Sequence, residues 1–132
     1  VRATDAQNNW RDLKYDANGN LLEQTLVLPA NSAERLADHT SALYDLSDRK
    51  TLSLDAAGNA TAYTYDPAGN VVRITNPDGY RVSLDYDELN RVVRSVGPQV
   101  TDPVYGLIRA VTRTTYDTAG NLTQVAAGRT DA

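Results

Sequence analysis

Tyr65-Asp66-Pro67-Ala68-Gly69-Asn70-Val71, followed by Asn76-Pro77-Asp78-Gly79 and a return to Tyr86-Asp87, is the stretch that decides the fold. The Tyr-Asp pair recurs at Tyr15-Asp16, Tyr44-Asp45, Tyr65-Asp66, Tyr86-Asp87 and Tyr116-Asp117. From Asp45 to Asp66 is 21 residues, and from Asp66 to Asp87 is again 21. The outer intervals, Asp16 to Asp45 and Asp87 to Asp117, are 29 and 30, so each is one period plus an insertion. A fixed period of this kind marks a repeat architecture in which one supersecondary unit stacks on the next. A second turn signal falls about halfway through each regular period, at Asp55-Ala56-Ala57-Gly58 and Asn76-Pro77-Asp78-Gly79. Half a period is one strand and one turn, and the repeat unit is a β-hairpin.

The turn chemistry supports this reading. A type I turn favours Asp or Asn first, where the side chain caps nearby backbone N–H groups, Pro second and Gly fourth. Asp66-Pro67-Ala68-Gly69 meets all three preferences, and Asp16-Ala17-Asn18-Gly19, Asp55-Ala56-Ala57-Gly58 and Asp117-Thr118-Ala119-Gly120 follow it. Asp87-Glu88-Leu89-Asn90 ends in Asn, the next most tolerant residue for positive φ, whereas Asp45-Leu46-Ser47-Asp48 is the weakest copy. A left-handed fourth residue lets such a turn continue into a bulged hairpin. The framework residues are therefore Tyr15, Asp16, Gly19, Asn20, Tyr44, Asp45, Asp55, Gly58, Asn59, Tyr65, Asp66, Gly69, Asn70, Asp78, Gly79, Tyr86, Asp87, Tyr116, Asp117, Gly120 and Asn121. Their expected role is structural.

Between turns the residues alternate. Tyr80, Val82, Leu84 and Tyr86 point one way, and Arg81, Ser83 and Asp85 the other, the period-two signature of a half-buried strand. Thr61, Tyr63 and Tyr65 repeat it, and apolar residues recur after the turns at Leu21-Leu22, Val71-Val72, Val92-Val93 and Leu122. One greasy and one polar face are expected throughout, with each repeat Tyr on the greasy one. The fold class is an all-β antiparallel hairpin meander. The array is expected to fill 1–132 as a single unit, interrupted near 29–41 and 97–106. The first insertion holds Asn31-Ser32-Ala33-Glu34, a capping-box pattern ahead of Leu36 and Ala37 that predicts a short helical turn. The second, with Gly97, Pro98, Pro103 and Gly106, reads as an irregular hairpin loop. Both are expected to project from the sheet edge.

Composition bounds the function. The chain has 132 residues, enough for one domain, and 41% are hydrophobic, yet it contains no Phe, Met or Cys. Eight of its aromatics are Tyr, which buries a ring while keeping its hydroxyl hydrogen-bonded, so a thin layer is expected instead of a deep oily core. A start at Val1 and the lack of any Met lead us to expect a fragment of a longer polypeptide. The net charge is -4 with 13 scattered Lys and Arg, so nucleic acid is not an expected partner. Purely apolar runs reach about three residues, as at Leu26 to Leu28, too short for a membrane span.

Catalytic constellations are poor. The one His, His39, falls in an insertion and reads as solvated, and without Cys no thiol chemistry is available. Carboxylate pairs of the glycosidase kind are not excluded by composition, but nearly every Asp is accounted for by a turn. Asp16, Asn18 and Asn20 occupy positions one, three and five of a calcium loop, yet Val27 stands twelfth, where an acid is needed. Other copies have Ala57, Ala68 and Ala119 at the third position. No cofactor, no metal and no enzymatic activity are expected.

The unit Tyr-Asp-x-x-Gly-Asn, best seen at 65–70 and followed by the Asn-Pro-Asp-Gly turn at 76–79, resembles the YD repeat of the Rhs family. Those repeats are similar to the ones in teneurins and in the C component of bacterial Tc toxins. The resemblance runs from about Leu13 to Val125. It implies a β-sheet curled into a hollow shell. In bacterial members such a shell encloses a toxic C-terminal polypeptide until delivery; in teneurins the related barrel belongs to a cell-surface adhesion receptor. The expected role is a shell segment of a bacterial Rhs-type polymorphic toxin, secreted or at the cell surface and used in interbacterial competition. The alternative is a carbohydrate- or protein-binding adhesion module, with Tyr80 and Tyr105 as stacking residues. Expected partners are neighbouring repeats or further copies at the sheet edges, an enclosed toxin polypeptide and, on the alternative, a glycan. Bacterial members also carry an Asp-Pro-x-Gly-Leu self-cleavage signature. Here Asp102-Pro103-Val104-Tyr105-Gly106-Leu107 has one residue too many and is followed by another repeat, so it reads as an ordinary loop.

Overall fold

The computed structural model describes residues 1–4, 9–27 and 36–131. All regular structure among them is β. The strands are β1 (Arg2–Thr4), β2 (Trp10–Tyr15), β3 (Leu21–Val27), β4 (Leu36–Tyr44), β5 (Lys50–Leu54), β6 (Ala60–Tyr65), β7 (Val71–Thr75), β8 (Arg81–Tyr86), β9 (Val92–Asp102), β10 (Gly106–Tyr116) and β11 (Leu122–Asp131). Strand order follows chain order from β1 to β11, the meander expected of hairpins laid end to end. Two compact units are present, Val1–Ala62 and Tyr63–Ala132, and β6 crosses the boundary.

A register shift falls immediately before the repeat tyrosine in four hairpins, at Lys14/Tyr15, Leu43/Tyr44, Asp85/Tyr86 and Thr115/Tyr116. Tyr86 is paired with Val92 and Asp85 with Arg94, so Val93 is the extra residue; Leu22 has the same place opposite Tyr15. A bulge sets two residues of one strand against one of the other. This is why apolar residues come in adjacent couples after the turns.

Face assignments follow from register, because directly opposed residues share a side of the sheet. In the second unit Ile74 opposes Val82 and Leu84 opposes Ser95, while Arg73 opposes Ser83 and Asp85 opposes Arg94. The expected division into an apolar and a polar side holds for β7 and β8 and then breaks. Val96 and Val111 oppose each other on the side of Ser83 and are the most buried residues of that unit, 7% and 3% exposed. In the first unit Leu43 opposes Leu52, and Ala42 opposes Ser53, so leucines lie opposite to the side that buries Ala42. One consistently greasy face is therefore corrected to two mixed faces. Only Ala42, Val96 and Val111 are buried among the described hydrophobic residues, so each strand needs only local neighbours.

The insertions also differ from expectation. Asn31 to Glu34 lie outside the described residues, but Leu36 to Ser41, on the C-terminal side of the first insertion, belong to strand β4. Residues 97–102 are not an irregular loop: β9 and β10 each run 11 residues and pair out to Asp102 and Gly106. The extra length is taken up as sheet because alternating residues such as Gln99, Thr101 and Leu107, Arg109 keep the period of two. Gly97 and Pro98 are absorbed in a shift between Arg109 and Val111. Pro lacks an N–H for the ladder, and a bulge is a place where that loss is tolerated.

Candidate functional site: capped turns and tyrosine ties

Each Asp-x-x-x-x turn closes in the same way. At the first, the Asp16 N–H donates to the Asn20 carbonyl at 3.0 Å and the Gly19 N–H to the Asp16 carbonyl at 3.3 Å. The same two bonds close the turns starting at Asp45, Asp55, Asp66, Asn76, Asp87 and Asp117. The carboxylate does the rest. Asp16 Oδ1 accepts from the Asn18 and Asn20 N–H groups at 3.0 and 2.8 Å, and Oδ2 accepts from Asn20 Nδ2 at 2.9 Å. Asp55 and Asp117 are held identically by Asn59 and Asn121, and Asp66 by Asn70. The side-chain bond from the Asn, then its backbone N–H, holds the Asp16, Asp55 and Asp117 carboxyls below their ordinary range. Hydrogen bonds donated to the charged form favour that form. Such a carboxylate is a cap with its lone pairs already occupied, and a poor general base.

Two turns depart from Gly-Asn. Asp45 and Asp87 are gripped by Arg49 and Arg91, whose Nε atoms donate at 2.8 Å and whose terminal nitrogens lie 2.8 and 2.7 Å from the carboxylates. These same turns carry Asp48 and Asn90 fourth, both at φ 58, where the others have Gly. The reason is the neighbouring turn. Asn20 Nδ2 donates to Asp48 Oδ1 at 2.7 Å, joined by Asn18 Nδ2 at 2.8 Å, and Asn70 Nδ2 donates to Asn90 Oδ1 at 2.7 Å. A Gly-Asn turn offers an amide, and an Asp-Arg or Asn-Arg turn returns an oxygen. Gly-Asn and Arg turns alternate along this end of the strands: 16–20, 45–49, 66–70, 87–91, 117–121. Arg49, Arg91, Asp48 and Asn90 were not in the expected framework set. The alternation of the fourth and fifth turn residues was the signal that would have found them.

The repeat tyrosines tie each hairpin to the one before. The Tyr44 hydroxyl donates to the Leu21 carbonyl at 3.2 Å, Tyr86 to Val71 at 3.0 Å and Tyr116 to Val92 at 3.1 Å. The acceptor is always the first strand residue after the preceding Tyr-Asp turn. Arg91 adds a cation–π contact, its guanidinium 4.3 Å from the Tyr116 ring centroid. The Tyr15 hydroxyl has no partner among the described residues, and Tyr15 is 44% exposed. Asp78 and Gly79 sit at the opposite end of the strands, in the turn that Gly79 closes onto Asn76 at 2.9 Å.

Other residues of chemical interest are separate from this ladder. His39 is in strand β4, not in a loop, with its Nδ1 2.9 Å from Thr25 Oγ1. Asp102 Oδ1 accepts from the Val104 and Tyr105 N–H groups at 2.8 and 3.0 Å, which lowers its pKa and makes it the cap of the β9–β10 turn. Tyr105 is covered by Arg129, 3.4 Å from its centroid. Tyr80 lines an open concavity with Asp78, Arg81, Gln99 and Arg109. No group of three or more metal-ligating side chains is gathered among the described residues.

A sheet made of tandem hairpins, capped at one end by alternating turns and tied crosswise by tyrosines, defines the class as a repeat-built β-wall. The family model described as teneurin YD-shell matches residues 3–131, and the chain belongs to that family. Its coarse role is that of a structural shell segment. In fold it is similar to chains in the solved Photorhabdus luminescens Tc holotoxin pore, at 21% identity and TM-score 0.54. It is also similar to chains in the TcdB2-TccC3-Cdc42 complex, at 20% and 0.54, and the TcdB2-TccC3-TEV complex, at 21% and 0.54. Each match covers 98% of this chain and 8% of the other, so the chain spans a small part of the proteins it matches. No curated protein sequence matches it.

Proposed function

We propose that this chain is a wall segment of an Rhs-type shell that encloses a toxic C-terminal polypeptide and releases it on delivery, outside the producing cell. The role is architectural and not enzymatic. The observation that carries the reading is the tie between successive hairpins, in which Tyr44, Tyr86 and Tyr116 each bond the repeat before. Side chains spent on holding repeats together suit a container. The fold-level likeness to chains of Tc toxin assemblies is in keeping with it. The adhesion alternative names Tyr80 and Tyr105 as stacking residues, and of these two Tyr105 already lies against Arg129.

The array of 1–132 is expected to continue into further repeats through β11, an edge strand of ten residues paired only with β10 among the described residues. An unpaired edge is a template for another strand. Limited proteolysis of the parent protein tests the container: a segment C-terminal to the repeats should resist protease while the repeats are intact and become sensitive when they are unfolded. Equal cleavage in both states overturns the reading. Light scattering of the isolated chain should show self-association at high concentration, and a strict monomer counts against an edge open to pairing.

A further inference from the structure

Register gathers five arginines of the second unit on one side of its sheet. Arg73, Ser83, Val96 and Val111 form one row of directly opposed residues across β7 to β10. The row beside it contains Asp85, Arg94 and Arg113, and the row on the other flank contains Thr75 with Arg81 and Gln99 with Arg109. Arg73, Arg81, Arg94, Arg109 and Arg113 therefore surround Val96 and Val111, which are buried beneath them. The one described strand acid on this side is Asp85, bonded to Arg94 at 2.9 Å. Among the described residues Arg73, Arg81, Arg109 and Arg113 make no ion pair and no side-chain hydrogen bond.

Two features set this patch apart from an ordinary solvated face. Arg94 and Arg113 stand directly opposite each other, and like charges in that position destabilise a sheet. The unit's other described acids are segregated to the strand ends: Asp66, Asp87, Glu88 and Asp117 in turns at one end, Asp78, Asp102 and Asp131 at the other. A positive centre bounded by carboxylates accepts a short anion better than a long one. Nucleic acid or a sulfated polysaccharide would carry its charge onward into the terminal acids.

We propose that this face docks an acidic polypeptide segment, with its carboxylates on the arginines. The guanidinium fork matches a carboxylate in two-pronged geometry, which favours Arg over Lys for this task. Both strand ends repel a longer polyanion, which leaves a short acidic segment as the occupant that the charge pattern fits.

The test is fluorescence anisotropy of a labelled oligo-glutamate peptide titrated with the chain. Arg94→Gln/Arg113→Gln and Arg81→Gln/Arg109→Gln are the variants, and Arg11→Gln, in the first unit, is the control. Saturable binding that weakens with added salt is expected. Each double variant should weaken it by about tenfold or more, since a hydrogen bond to a charged group is worth that much. Arg11→Gln should leave it unchanged. Arg113→Gln should also raise the melting temperature by relieving the opposed charges, a readout independent of any ligand. Absence of peptide binding, or equal binding by a double variant with an unchanged circular dichroism spectrum, overturns the proposal. Tighter binding of a heparin fragment or single-stranded DNA than of the peptide overturns it as well.

Discussion

Tyr86→Phe isolates the tie between repeats. The Tyr86 hydroxyl donates to the Val71 carbonyl over 3.0 Å in a part-buried setting, and the ring stays on the side of Leu84 and Val82 whether or not the oxygen is present. The substitution removes one hydrogen bond and keeps the packing, so the expected loss is about 1 kcal/mol. In a marginally stable chain that is roughly a fivefold fall in the folded-to-unfolded ratio. Tyr44→Phe and Tyr116→Phe should cost a similar amount through the bonds to Leu21 and Val92. Tyr15→Phe is the internal control and should cost close to nothing, because the Tyr15 hydroxyl has no partner among the described residues. Urea denaturation followed by far-ultraviolet circular dichroism gives the values, with the slope of the transition checked for constancy across variants. If Tyr86→Phe is indistinguishable from the parent, or Tyr15→Phe loses as much as the others, the tyrosines are merely packed and the tie between hairpins is not what holds them.

Gly69→Ala should destabilise by about 1 to 2 kcal/mol in the same assay, since φ there is 93 and an added methyl meets nothing within 4 Å, which leaves backbone strain as the sole cost. Asn70→Ala and Asn90→Ala should be non-additive, with a coupling of about 0.5 kcal/mol or more in a double-mutant cycle, because the 2.7 Å bond joins the two turns. Arg91→Ala should lower stability by about 1 kcal/mol by losing both Asp87 and the Tyr116 ring. Arg91→Lys should fail to rescue it, since the grip needs the Nε atom of a fork. Acid should weaken the fold in a defined window: the turn carboxyls lie below their ordinary 3.8 when folded, held there first by the Asn20, Asn59 or Asn121 side chain. Their contribution is complete above about pH 4 and lost as pH falls through the folded values, so melting temperature should be flat near neutrality and drop below about pH 4. A melting temperature that climbs on acidification would contradict the caps.

Much of the fold could be read from the chain because each hairpin is a local object. Asp66-Pro67-Ala68-Gly69 writes its own turn, and Tyr80 to Tyr86 its own alternation, so the meander needs no long-range information. Asp45-Leu46-Ser47-Asp48 looks weak in sequence because its merit is not local: Asp48 at φ 58 accepts from Asn20, 28 residues away. The long β9–β10 hairpin is hidden in the sequence because Gly97, Pro98 and Pro103 break pattern more loudly than Gln99, Thr101, Leu107 and Arg109 keep it. Side-of-sheet chemistry is illegible in the sequence for a related reason. A bulge moves a strand's partners by one place, and composition alone does not say where Val96 and Val111 will meet.

The alternation of turns sets a rule for how such an array can change its size. Drop one hairpin that carries an Arg turn, and two Gly-Asn bends become neighbours, the first offering an amide hydrogen with no oxygen across the gap. Drop both turns of a bonded pair, and the other bridge, Asn20 to Asp48 or Asn70 to Asn90, keeps its donor and its acceptor. Growth or shrinkage without loss of grip proceeds in couples, as a zip runs only when its teeth come from both sides.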